Sequence, residues 1–178
     1  MLFWPEFGGA AATAVLFGLL FKTRLIPALA IGAMVMLAGG AAVLSGVAHG
    51  PDALVLVGSG MIGLGVGGSV SPALFMAGLS LASASIQRVF ALIELLRGVA
   101  AFLVAPILLD LAQTVRGGPP RGTGIAIWVC FGLAAGGGLV AALVFVLGGA
   151  RLQRPDLETW VEGEEPAFES PPLAARLR

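Results

Sequence analysis

Apolar residues come in five long runs, at residues 2–21, 26–46, 53–76, 89–112 and 123–148, broken by short polar stretches. Crossing the roughly 30 Å hydrocarbon layer of a bilayer takes about 20 apolar residues at 1.5 Å each. Each run meets that length, and the pattern predicts five transmembrane helices. The separators are brief and turn-like: Lys22-Thr23-Arg24, then His49-Gly50-Pro51-Asp52, then Ser83 to Arg88, then Arg116-Gly117-Gly118-Pro119-Pro120-Arg121. Pro and Gly in the last of these prevent one helix from running on into the next. Short connections make consecutive helices antiparallel neighbours. The expected fold is therefore all-α, a polytopic bundle over residues 1–150.

After Arg154 the character changes. Asp156, Glu158, Glu162, Glu164, Glu165 and Glu169 alternate with Pro155, Pro166, Pro171 and Pro172. Such a segment buries too little apolar area to offset the entropy of ordering it, so residues 151–178 read as a disordered acidic tail. Trp160 is the residue in it suited to anchoring at a membrane interface.

Composition strengthens the membrane reading. Of 178 residues, 58% are hydrophobic and 11% charged, and the mean hydropathy is +1.00, more apolar surface than a soluble domain of this size can hide. Net charge is zero, so no basic field favours nucleic acid. The expected partners are lipid and other helices. The single cysteine, Cys130, lies in an apolar run and has no intrachain partner for a disulfide. The first run has no basic residue before it and carries Trp4, Pro5 and Glu6 at its start, which favours a span over a cleavable signal.

Basic residues near the run ends set the orientation. Lys22, Arg24, Arg88, Arg151 and Arg154 fall on one side, Arg116 and Arg121 on the other. By the positive-inside rule the richer side is cytoplasmic, with the N-terminus outside and the C-terminus inside.

Few residues suggest chemistry. Gly58, Gly60, Gly63, Gly65, Gly67 and Gly68 crowd the third run. Gly60 to Gly65 mimics a nucleotide-binding fingerprint, but no strand precedes it and no βαβ unit surrounds it. In lipid such glycines either let helix backbones approach closely or allow the helix to bend. Glu94 and Arg97 stand three residues apart, neighbours on one face of the fourth run. With entry near Val89, they lie about 7 Å and about 12 Å deep. A charge at such depth costs on the order of 3 kcal/mol, which pairing against a bundle interior offsets. They read either as a structural ion pair or as part of a substrate or proton pathway, and in both cases as facing protein. Pro72 and Pro106 interrupt helix hydrogen bonding and are candidate bends. Glu6 and Asp110 read as shallow residues of the outer face. Trp4 suits an outer anchor, and Trp128 either an anchor or packing. His49, the sole histidine, has no companion ligands, so neither a metal site nor any other cofactor is expected. No Ser, His and acid set offers acyl transfer, so an intramembrane enzyme is disfavoured.

Two stretches carry a resemblance: Gly60-Met61-Ile62-Gly63-Leu64-Gly65-Val66-Gly67-Gly68-Ser69-Val70-Ser71-Pro72-Ala73, and Glu94-Leu95-Leu96-Arg97-Gly98-Val99-Ala100-Ala101. They resemble the C-terminal half of major facilitator superfamily transporters, in the fourteen-span drug:proton antiporter branch. Glu94 stands where that pattern has Asn, Arg97 on its Arg, and Ala100 and Ala101 where it favours glycine. Gly18 to Arg24 is similar to the family's basic cytoplasmic loop, with Lys22 in place of the usual Asp. The resemblance spans residues 1 to about 150 and implies that the five runs correspond to the last five spans of a transporter. It further implies proton-coupled export of a small organic compound. Such transporters place substrate between two bundles, so the chain is expected to be a fragment or split part that needs a missing half or a homo-oligomer. The competing expectation is a stand-alone scaffold or subunit whose Gly-rich faces bind partner helices.

Overall fold

The computed structural model describes residues 4–46, 52–81, 86–114, 119–147 and 156–162. Among them there are helices and turns and no strand. The helices are α1 (Trp4–Leu20), α2 (Ile26–Gly46), α3 (Asp52–Leu79), α4 (Ile86–Thr114), α5 (Pro119–Leu147) and α6 (Leu157–Glu162). Four of them, α2 to α5, are long and apolar enough to cross a membrane, the architecture of an integral membrane protein. α1, at 17 residues, is shorter.

Local chemistry sets the boundaries. Thr23 closes α1: its backbone N–H and its hydroxyl both donate to the Leu20 carbonyl, at 2.8 and 2.7 Å. Its Oγ1 in turn accepts from the Leu25 N–H at 3.2 Å, turning the chain into α2. α5 opens on Pro119 and Pro120, since the first turn of a helix has no use for the missing N–H. α4 continues through Pro106, and α3 through Pro72. Pro72 is fully buried.

α3 is the centre of the bundle, with α1 and α2 packed along it, α5 against α2, and α4 mainly against α5. Glycine makes the two central contacts possible. On one face of α3, a Cβ at Gly63 would strike the Glu6 backbone, and one at Gly67 would strike Thr13 and Ala10 of α1. On another face, a Cβ at Gly65 would come within 2.6 Å of the Leu37 backbone, and one at Gly68 within 2.8 Å of Ala33 Cβ, both in α2. Gly9 and Gly40 return the favour from α1 and α2, their absent side chains leaving room for the α3 backbone.

These contacts also fix levels. Pro5 and Glu6 lie beside Gly60 and Gly63, while Phe17 and Phe21 stack on Phe75 with ring centroids 5.1 and 5.5 Å away. α1 thus runs parallel to α3 but begins beside its ninth residue, and covers only the remainder. Glu6 is consequently level with Gly63, eleven residues or about 16 Å from the start of α3. Glu6 is half-buried there, its backbone against Gly63.

Few side chains are buried, and no residue of α4 is. Phe102 is 78% exposed and Leu147 76%. In a bilayer such side chains meet acyl chains as apolar as themselves, so the helices pack through small residues.

Candidate functional site

The residues singled out for chemistry do not converge on one place. Glu94 and Arg97 do meet each other. Arg97 Nη2 donates to Glu94 Oε2 at 2.7 Å and Nε to the same oxygen at 3.0 Å. The spacing of three on a helix makes this contact, and Arg97, like most helical side chains, leans back toward the N-terminus. The Arg97 side chain is 67% exposed and that of Glu94 48%, so the described residues of this chain do not enclose the pair. The reason is that α4 makes few contacts with α3, among them Phe90 against Gly78, and its residues from Glu94 to Ile107 are exposed.

A cavity of about 170 Å³ opens between α2, α3 and α5, with Pro27, Met34, Ser69, Met76 and Phe145 among its lining residues. Its wall is almost wholly apolar, and the Ser69 hydroxyl donates back to the Val66 carbonyl at 3.3 Å. Such a space suits an apolar molecule or acyl chain. No sign of it is legible in the sequence, because its lining comes from three helices and contains no ionisable residue.

The chain matches no family model, no curated protein and no solved structure.

Of the bending and packing candidates, Gly63 and Gly67 sit in tight helix contacts, whereas a Cβ at Gly60 would be in ordinary contact with Pro5 at 3.7 Å. Gly9, Gly40, Gly58, Gly65 and Gly68 make comparable close approaches. Their signal in the sequence is the spacing of three to four between small residues. Gly122, which packs onto the Ala112 carbonyl, joins α4 to α5. Asp110 is exposed near the end of α4, and Cys130 is an exposed free thiol. Trp128 packs edge-on against Phe131 at 5.2 Å, and Trp4 is 75% exposed. No group of acidic, His and Cys side chains able to hold a metal occurs among the described residues.

Part of the segment read as a disordered tail is ordered: α6 is a short helix whose Trp160 indole N–H donates to the Leu81 carbonyl at 3.2 Å. The tail thus touches the end of α3, the end where Lys22, Arg24 and Arg88 gather. His49, Arg116, Arg151, Arg154 and residues 163–178 lie outside the described residues.

Proposed function

We propose that the chain is one bundle of a membrane transporter of the major facilitator type, a fragment or split part that completes its substrate path with further helices. The carrying observation is the glycine-rich stretch Gly60 to Ala73 followed, one helix later, by the Glu94 and Arg97 pair. In this reading the substrate is a small organic compound exchanged for protons across a bacterial-type plasma membrane, and Glu94 and Arg97 border its route. Alternating access needs two bundles rocking about a shared site, and the exposed middle of α4 leaves room for the second. The gathering of Lys22, Arg24 and Arg88 at one end of the bundle supports a cytoplasmic face there, with the N-terminus outside and the C-terminus inside.

The test is transport by the assembled protein. The tagged chain is isolated from its native membrane in mild detergent with whatever accompanies it, and reconstituted into proteoliposomes. A pH gradient should then drive movement of a lipophilic organic cation by the assembly, and none by the chain purified to homogeneity and held monomeric. An assembly that moves none of a panel of such cations would overturn the reading.

The alternative is a scaffold or subunit that binds partner helices. It is favoured by one observation, the uncovered face of α4. The α3 glycines do not serve it, since α1 and α2 already occupy them.

A further inference from the structure

Every residue of α4 from Glu94 to Ile107 is exposed with respect to the described residues of the chain. Ala91, Glu94, Gly98, Ala101 and Ala105 recur at spacings of three, four, three and four, which aligns them along one stripe of the helix. All five are exposed, and a Cβ built at Gly98 meets nothing within 4 Å. Arg97 flanks the stripe and holds Glu94. Between Arg88 and Asp110 these two are the only charged residues of α4. Counted from Arg88, they lie about 9 Å and about 14 Å along the axis. Acyl chains hydrate neither side chain, so an ion pair bare to lipid is costly.

We propose that this stripe is the interface between two copies of this chain, related by a two-fold axis along the membrane normal. Copies inserted in the same orientation present their α4 helices in parallel. Glu94 and Arg97 then recur on both helices at the same two heights, about 4.5 Å apart. An axis passing between Glu94 and Arg97, rather than over Glu94 itself, sets Arg97 of each copy against Glu94 of the other, so each contact is made twice and the four charges close a ring of alternating sign. A partner of different sequence that answers this pair with charges must bring an acid and a base at the same offset. This chain supplies both. Alanine at three positions and glycine at a fourth let the two backbones approach closely, as small residues do between membrane helices. The inference rests on membrane insertion and not on transport, so the two readings fail separately.

Cysteine cross-linking of the full-length chain in membranes tests it. In a Cys130→Ser background, Ala101→Cys and Ala105→Cys should each form a disulfide-linked dimer under mild oxidation. Leu96→Cys and Leu103→Cys, exposed on the opposite side of α4, should not. Gly98→Leu has open space in the single chain and should leave its folding intact while abolishing the cross-link. Glu94→Gln should weaken self-association by at least about tenfold, and the exchange of both charges, Glu94→Arg with Arg97→Glu, should restore it. Equal cross-linking on both faces, a product containing a different protein, or a chain that stays monomeric in the bilayer would each overturn the proposal.

Discussion

At the level of single residues, the glycines of α3 differ sharply in what they exclude. Gly63 and Gly65 lie against backbone of α1 and α2, which has no rotamer to escape through. Replacing either with leucine should lower stability by about 2 kcal/mol or more, as overpacking does, read as a lower melting temperature in detergent. Gly136, with nothing within 4 Å of an added Cβ, is the control. Gly136→Ala should be neutral or stabilise the helix by up to about 1 kcal/mol. The ion pair behaves differently again. Because Glu94 and Arg97 are exposed in the single chain, Glu94→Gln or Arg97→Gln should cost the detergent-solubilised monomer only about 0.5 kcal/mol or less. A loss of several kcal/mol in the monomer would mean that the pair is enclosed after all.

Between elements, the end of the bundle that carries Lys22 and Arg24 is held by aromatic packing. Phe17, 8% exposed, meets Phe21 edge-on and Phe75 at a tilt. Phe17→Ala should destabilise the α1 to α3 contact by about 3 kcal/mol, visible as a lower melting temperature and as protease access to the α1–α2 turn. The tail contact is weaker. Trp160→Phe keeps an aromatic ring but removes the N–H that reaches the Leu81 carbonyl. One neutral hydrogen bond is worth about 1 kcal/mol, so the variant should be cut near residues 157–162 several times faster in limited proteolysis, with the melting temperature of the bundle unchanged. Equal cleavage rates would show that the indole bond does not hold the tail.

For the whole molecule, the testable quantity is orientation. Thr23 and Ile86 adjoin the basic residues Lys22, Arg24 and Arg88, which the positive-inside rule assigns to the cytoplasm. In a Cys130→Ser background, Thr23→Cys and Ile86→Cys should react with a membrane-impermeant thiol reagent only after the membrane is opened. Labelling of either in intact cells would reverse the topology. Helical content and the existence of long apolar elements were legible in the sequence alone, because a run of about 20 apolar residues has few other ways to satisfy its backbone in lipid. The bounds of α2 agree with the apolar run, those of α3 and α4 extend a few residues beyond theirs at both ends, and α5 begins a few residues before its run, since a helix continues past the apolar stretch until a turn stops it. The Glu94 and Arg97 contact was equally legible, being set by spacing within one helix. Three things were decided only by tertiary structure. Which helices pack on which depends on the fit of glycine faces from distant segments, so the central place of α3 does not appear in a local pattern. The level of Glu6 beside Gly63 follows from how far α1 is shifted along α3, a quantity that no property of α1 contains. The outward exposure of the ion pair and the cavity walled by α2, α3 and α5 likewise arise from which helices pack together. Hydrophobicity fixes what enters the membrane, but it exerts little force between helices already there, so their arrangement is settled by shape.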